Sequence, residues 1–156
     1  MNDKLFDAIR NGDVEMVKAI ITAHPELINI KDQRGSTPLL LATYYGNQDM
    51  AEAMLKHKPD LNAKDASGNT ALMGVCFKGY AAIAKLLIDH GADVNAQNLN
   101  SATALIYAAT FAQSEIAQLL IDNGADASHV DEKGNTAYDH AKMQGAEKLM
   151  AILEGK

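Results

Sequence analysis

Three regularly spaced histidines are the residues of this chain whose types and spacing most invite a chemical role. His57 and His90 are 33 residues apart, and His24 joins the series if one residue is inserted just after it. Zinc–nitrogen bonds are about 2.0–2.1 Å long, so a shared zinc ion requires the imidazole rings to converge. Rings one structural unit apart are hard to bring onto one ion. We therefore interpret the histidines as polar helix-end positions, and we expect neither a metal nor any other cofactor.

The single cysteine, Cys76, is the other candidate for chemistry. It follows apolar Val75 on the inward part of a predicted helix. No helix N-terminus or cationic side chain is evident nearby to lower its pKa, so we interpret it as a small core residue and not as a nucleophile. The chain also lacks the HExxH, phosphate-loop and Gly-x-Ser-x-Gly patterns. We expect no enzymatic activity.

An eight-residue stretch that recurs every 33 residues positions these side chains, and such a period is typical of repeat architectures. The stretch reads Asp-Ala-Ser-Gly-Asn-Thr-Ala-Leu at 65–72, and related copies begin at residues 32, 98 and 131. Asp can accept hydrogen bonds from its own downstream backbone and Gly tolerates positive φ, so the stretch predicts a turn. A threonine then provides the N-cap of a helix in each copy, at Thr37, Thr70, Thr103 and Thr136. Pro38 suits the first helical position.

The repeated unit resembles the ankyrin repeat. The similarity extends beyond the turn, because Ala42, Val75, Ala108 and Ala141 keep the same phase, as do Gly46, Gly79, Ala112 and Gly145. It covers nearly the whole chain. The resemblance implies an all-α fold, an ankyrin-repeat solenoid of stacked helix-turn-helix units joined by β-turn-like loops. It also implies a binding scaffold that holds its partner on the turn tips and on the exposed inner face of the first helix of each unit.

We expect a single domain, 1–156, of about five units. The expected units are an N-terminal cap at 1–31, full repeats at 32–64, 65–97 and 98–130, and a C-terminal cap at 131–156. In the first unit Asp3 and Asp13 are predicted to N-cap the two helices, and Pro25 is predicted to end the second. One inserted residue is placed around residues 24–26.

The fourth unit departs from the pattern at two turn positions. Ser101 replaces the turn glycine, and Ala112 replaces the glycine between the helices. If both keep positive φ, each costs roughly 1 kcal/mol. The substitutions are interpreted either as neutral drift or as a local adaptation of this unit.

Two further comparisons with the family's pattern concern contacts between units. Leu40, Met73 and Ile106 stand where the family usually has a histidine that ties adjacent turns, so contacts between these units are expected to depend more on packing. Asn62 and Asn95 lie in segments similar to those hydroxylated in some eukaryotic ankyrin proteins. The other interpretation is structural, with each asparagine satisfying backbone groups of the adjoining loop.

The resemblance assigns the partner-binding residues to two sets of positions. Four of the chain's eight Phe and Tyr residues fall on the last turn of the first helices. Because packed helices lie roughly 8–10 Å apart, these rings are predicted to form a continuous aromatic strip beside the polar tips. In the other interpretation, some rings fold back to pack between helices. The predicted residues are Arg34, Ser36, Ser67, Asn69, Leu99, Asn100 and Lys133 on the tips, and Tyr44, Tyr45, Phe77, Lys78, Thr110, Phe111 and Met143 on the helices.

Charge and composition narrow the class of partner. A net charge of −6 argues against a nucleic-acid or anionic-membrane surface. No stretch approaches 18 uninterrupted apolar residues, so no membrane span is predicted. The N-terminus lacks a signal-peptide pattern, and one cysteine fits a reducing compartment, so we expect a cytoplasmic location.

The sequence therefore predicts a non-enzymatic scaffold that binds another protein, possible roles being adaptor or inhibitor, and that is a monomer when free. Two alternatives stay open. The first is a small-molecule-binding or enzymatic role for an aromatic groove near Tyr44, Tyr45 and Phe77. The second is a homodimerising structural module that uses Leu99 and Phe111.

Overall fold

The computed structural model describes all residues, 1–156. It contains ten α-helices, one short 3-10 helix and no β-strand, which confirms the predicted all-α class. The helices are α1 (Asn2–Arg10), α2 (Val14–Ala23), the 3-10 helix (Pro25–Leu27), α3 (Pro38–Tyr44), α4 (Gln48–Leu55), α5 (Ala71–Lys78), α6 (Ala81–Asp89), α7 (Ala104–Thr110), α8 (Ser114–Asp122), α9 (Ala137–Met143) and α10 (Glu147–Leu153). Successive pairs are called the first to fifth units below.

The helices form two parallel rows. The inner row runs α1, α3, α5, α7, α9, and the outer row runs α2, α4, α6, α8, α10, with each helix packed on its neighbours in the row and on its partner in the unit. A single apolar cluster, from Leu5 to Leu153, fills the space between the rows. Each unit therefore buries its apolar face only by stacking on the next one.

The threonine caps are present as predicted. Each Thr Oγ1 accepts a hydrogen bond from the backbone N–H three residues later, at 3.2 Å for Thr37 and 3.3 Å for Thr70. Asp13 caps α2 by accepting from the N–H of Met16 at 3.1 Å. The prediction for Asp3 is wrong, because α1 already begins at Asn2 and Asp3 lies inside its first turn without capping it. A carboxylate there still interacts favourably with the helix dipole.

A ladder of asparagines joins the loops of successive units. Asn29 accepts a hydrogen bond from the N–H of Asp60 at 2.8 Å, and Asn62 and Asn95 accept from the next loops at the same distance. The structural interpretation of Asn62 and Asn95 is thereby confirmed. Since Leu40, Met73 and Ile106 are buried apolar residues, this ladder provides polar ties between units that those positions cannot supply.

The fourth unit keeps positive φ without glycine. Ser101 has φ +59° and Ala112 has φ +55°, and Lys58 at φ +50° is a third example that the sequence did not reveal. A Cβ on Gly79, one period before Ala112, would lie 2.7 Å from the side chain of Gln113. One period after Gln113 the chain has Ala146, whose short side chain removes this steric need for glycine. The space beside position 112 therefore accommodates an alanine side chain.

Candidate functional site

A groove of about 500 Å³ opens on the inner row, between α3 and α5, and reaches α7. Its walls carry aromatic side chains, its turn end carries polar ones, and its floor is largely apolar. The lining residues are Tyr44, Tyr45, Phe77, Tyr107 and Phe111 (aromatic), Arg34, Ser36, Asp65 and Asn69 (turn end), and Leu40, Leu41, Thr70, Ala71, Met73 and Gly74 (floor).

The groove exists because of one small residue in the inner row. Gly74 occupies the position that is Leu41, Tyr107 and His140 in the other three units that begin with the turn motif. A Cβ on Gly74 would already lie 3.7 Å from the ring of Tyr44, so any larger side chain would project into this space. A glycine inside a helix costs about 0.5–1 kcal/mol relative to alanine. Gly74 therefore leaves this space open and lowers the stability of α5 relative to an alanine at the same position.

The aromatic rings form two clusters around the groove and not the single continuous strip that the sequence predicted. Tyr44 and Tyr45 meet edge-on with ring centroids 6.3 Å apart. Phe77 and Phe111 meet edge-on at 4.7 Å, and Tyr107 stacks on Phe111 at 6.4 Å. The rings remain 41–51% exposed at Tyr44, Tyr45, Phe77 and Phe111. Each of these four thus packs on a neighbouring ring and still offers apolar area to solvent.

Two cations border the groove region. The Lys78 Nζ lies 4.8 Å from the centroid of the Tyr44 ring, which is a cation–π contact. Arg34 lines the groove from the tip of the second unit. Neither side chain forms an ion pair within the chain.

Hydrogen bonds hold the turn tips in place. In the third unit Asp65 Oδ1 accepts from the N–H groups of Ser67 and Asn69, at 2.9 and 3.0 Å. The third and fourth tips are also joined, because the N–H of Leu99 donates to the carbonyl oxygen of Ser67 at 3.1 Å. The Leu99 side chain itself is 75% exposed.

The predicted binding residues separate into three groups. The groove brings together Arg34, Ser36, Tyr44, Tyr45, Asn69, Phe77 and Phe111. A smaller recess of about 270 Å³ beside the fifth tip contains Asn100, Thr110 and Lys133, and Phe111 borders this recess too. Ser67, Lys78, Leu99 and Met143 line neither. The Thr110 hydroxyl donates to the carbonyl oxygen of Ile106 at 2.8 Å, so its hydrogen-bonding group is already engaged.

The sequence did not single out three groove residues: Asp65, Gly74 and Tyr107. The sequence signal for these residues is the residue type at the position nine residues after the start of each turn. In the fourth and fifth units this position holds Tyr107, which donates a hydrogen bond to Asn69 Oδ1 at 3.1 Å, and His140, which lies 2.8 Å from Asp131 Oδ2. Reading this position across the four copies would have revealed the gap at Gly74.

Asp131 has the perturbed acidity expected of a partly buried, hydrogen-bonded carboxylate. Burial raises its pKa, but hydrogen bonds from the Asn135 N–H, the His140 ring and the Lys133 N–H outweigh burial and hold the pKa below its ordinary value. This carboxylate is therefore a structural anchor of the fifth turn.

The contacts of His90 and the burial of Cys76 are those of residues with a structural role. His90 Nδ1 lies 2.8 Å from the carbonyl oxygen of Leu86, at the end of α6, which fits a polar helix-end position. No group of three or more His, Cys, Asp or Glu side chains is arranged to hold a metal ion. Cys76 is fully buried, as predicted for a core residue, and this burial raises the pKa of its thiol.

None of the ten helices has the length and apolar character needed to cross a membrane.

Comparison with protein families agrees with this architecture. A family model described as ankyrin repeats (three copies) matches residues 5–98, and a second, described as ankyrin repeats (many copies), matches residues 87–141. Ankyrin repeats are generally protein–protein interaction modules and are typically non-enzymatic. The two matches together span all four turn copies and the inner helices that line the groove. The chain therefore belongs to the ankyrin-repeat family.

Proposed function

We propose that the chain is a non-enzymatic scaffold that binds a protein partner through the groove and the adjoining turn tips. The observation that carries the proposal is the set of four half-exposed rings around a groove with a polar turn end. Aromatic anchors within a polar rim are typical of the centre of a protein interface. In this proposal the anchors are Tyr44, Tyr45, Phe77 and Phe111.

The tips surround these anchors and complete the proposed interface. Arg34, Ser36 and Asn69 contact the partner at the groove, and Ser67, Lys78, Leu99, Asn100, Thr110, Lys133 and Met143 form the periphery. The turn hydrogen bonds and threonine caps fix this surface before binding, so little ordering entropy is lost. The first and fifth units serve as caps of the single stack. The protein acts as an adaptor or inhibitor in the cytoplasm and is a monomer when free.

An affinity capture from a lysate of the source cells tests the proposal. The wild type is compared with Tyr45→Ala, with Phe77→Ala and with Val130→Ala, a matched apolar truncation of a residue that is 45% exposed outside the groove. Each ring truncation should weaken partner binding at least about fivefold. Val130→Ala should leave it unchanged.

Thermal unfolding of the same variants separates binding from folding. We expect the changes in melting temperature to be small and similar in all three variants, although the two ring variants lose binding. A partner retained equally by all four proteins would place the interface elsewhere, and a large loss of stability in both ring variants would make the rings part of the core.

A small-molecule site is the second candidate, because the groove volume falls within the range of about 300–1,000 Å³ typical of ligand pockets. A fragment library screened by ligand-observed NMR distinguishes the two functions. Fragments that bind the wild type with micromolar affinity, and do not bind Phe77→Ala, would favour the small-molecule role.

Light scattering tests whether the free protein is a monomer. A monomer predicts a mass near 16.7 kDa at every protein concentration.

A further inference from the structure

We infer that the partner segment places one arginine side chain in the groove, with its guanidinium on the carboxylate of Asp65. The inference rests on the proposed function and specifies the chemistry of its partner. It is carried by a difference between Asp65 and the three residues that begin the other turns.

Asp65 has one carboxylate oxygen in use and one without a partner. Oδ1 accepts the turn hydrogen bonds from Ser67 and Asn69, whereas Oδ2 accepts none from within the chain. Asp65 is half-buried and lines the groove. Every buried polar side-chain atom of the chain has a hydrogen-bond partner. Because Oδ2 has none, it is not a buried atom, and a ligand can reach it.

The three equivalent residues each have their second polar atom satisfied. Asp32 Oδ2 accepts from the Arg10 guanidinium at 3.2 Å. Asp131 Oδ2 pairs with the His140 ring at 2.8 Å. In the remaining turn, the Asn98 amide donates to Asn69 Oδ1 at 2.9 Å and to the Tyr107 hydroxyl at 3.2 Å.

Two positions of the repeat supply these partners, and both lack a donor for Asp65. One is the last turn of the preceding inner helix, where Arg10 serves Asp32. The other lies nine residues after the turn residue, where His140 serves Asp131. For Asp65 these positions hold Tyr44 and Gly74, and neither donates a hydrogen bond to its carboxylate. These two positions therefore leave Oδ2 without a donor from the chain, so it is free to accept one from a partner.

The first unit shows how an arginine occupies such a site. The Arg10 guanidinium bonds to Asp32 and lies 5.9 Å from the centroid of the Phe6 ring. The groove offers the same two components, a carboxylate at Asp65 and aromatic walls at Tyr44 and Phe77. Arginine fits better than lysine, because its planar guanidinium both forks onto a carboxylate and stacks on rings.

The neighbouring cations limit how basic the partner segment can be. Arg34 and Lys78 lie at the border of the groove, so a run of basic residues would be repelled there. The overall charge of −6 attracts a cationic segment at longer range. A single arginine flanked by apolar or neutral residues satisfies both conditions.

A displayed library of random twelve-residue peptides tests the inference without a known partner. Peptides are selected on the wild type and then measured against four variants: Asp65→Asn, Asp60→Asn, Phe77→Ala and Val130→Ala. Asp65→Asn keeps the Oδ1 acceptor for the turn, and it replaces the charged Oδ2 acceptor by a neutral amide donor. Asp60→Asn is its matched control, because Asp60 makes the same kind of turn bond, to the Asn62 N–H, and does not line the groove.

Selected peptides should share one arginine, and Asp65→Asn should weaken them roughly 10- to 100-fold, the range for a charge-assisted hydrogen bond. Asp60→Asn and Val130→Ala should have little effect. A consensus without arginine, or with an arginine indifferent to Asp65→Asn, overturns the inference; if Phe77→Ala still abolishes binding, the proposed function stands. No selected peptide, or peptides insensitive to Phe77→Ala, overturns both.

Discussion

The junction between the second and third units differs from the junction between the third and fourth, although the same motif builds both. At the third–fourth junction, Tyr107 fills the inner row and its hydroxyl joins Asn69 and Asn98 in one hydrogen-bonded group. At the second–third junction, Gly74 stands in place of Tyr107 and Asp65 in place of Asn98. The third–fourth junction is filled by its own side chains and is called the closed junction below. The second–third junction leaves a groove with an unpartnered carboxylate oxygen and is called the open junction.

The backbone at the tips repeats this contrast. The Leu99 N–H donates to the carbonyl oxygen of Ser67, but no equivalent bond joins Ala66 to Arg34. Three local differences therefore separate a structural junction from a candidate binding junction. The repeat supplies the scaffold, and a few substitutions within it decide which junction stays open.

The largest expected effect comes from a Cβ added at the closed junction. Gly68 has φ +80°, and its Cβ would lie 2.9 Å from the Leu99 nitrogen, so Gly68→Ala combines backbone strain with a backbone clash. We expect a loss of about 2–4 kcal/mol in the free energy of unfolding, measured by urea titration. Gly134→Ala is the control, since its Cβ meets nothing within 4 Å and only the strain of about 1–2 kcal/mol applies.

Gly35→Ala sharpens the same comparison at the open junction. Its Cβ would approach the Ala66 nitrogen only to 3.3 Å. Its loss should lie between those of Gly68→Ala and Gly134→Ala. Equal losses in all three variants would show that the two junctions do not differ in how tightly their tips pack.

Removal of the Tyr107 hydroxyl should weaken the closed junction by about 1 kcal/mol, because Asn69 and Asn98 lose a shared partner. The variant is Tyr107→Phe, measured by chemical denaturation. Tyr44→Phe provides the matched control at the open junction, where the hydroxyl makes no hydrogen bond within the chain. If both variants lose the same stability, the hydrogen-bonded group does not distinguish the junctions.

Glycine at the two strained positions of the fourth unit should stabilise the protein. Ser101→Gly and Ala112→Gly relieve positive φ of +59° and +55°. Part of this gain is offset by the entropy of glycine in the unfolded chain, so we expect about 0.5 kcal/mol or slightly more for each. A rise in melting temperature checks this, and a fall in either variant would mean that the native side chain makes a compensating contact.

The smallest effect concerns acid stability at the fifth turn. The folded pKa of Asp131 lies below its ordinary value, so its contribution is complete above about pH 4 and is lost as pH falls through the folded pKa. Asp131→Asn should therefore unfold with a shallower pH dependence below about pH 4 than the wild type. Stability titrations at constant ionic strength measure the slope, and an unchanged slope would refute the assignment.

Local features of the fold were predictable from sequence, because their partners lie within a few residues. The threonine caps, the Asp13 cap and the positive φ of Ser101 all follow from residue type and position in the unit. The Asp3 cap failed because a helix boundary can shift by two residues, here from an N-cap at Asp3 to one at Met1, without changing the apolar pattern. The exposed rings were found because they share two repeat positions.

The groove itself could not be predicted from one unit at a time. It requires Tyr44 from one unit, Gly74 from the next and Tyr107 from a third. Similarly, alanine at 112 makes sense only beside Ala146, one unit further on. Contacts between units depend on pairs of residues about 33 apart, and a motif read within one copy does not contain them.

Amide chemical-shift mapping by NMR tests the central claim most directly. The isotope-labelled protein is titrated with a peptide selected from the library, and the shifted residues are located on the two helix rows. Binding at the open junction predicts that the largest shifts surround Asp65, Gly74 and Phe77, with the outer row unaffected. Largest shifts on α6 and α8, or at the closed junction around Asn98, would contradict the assignment of the groove as the binding site.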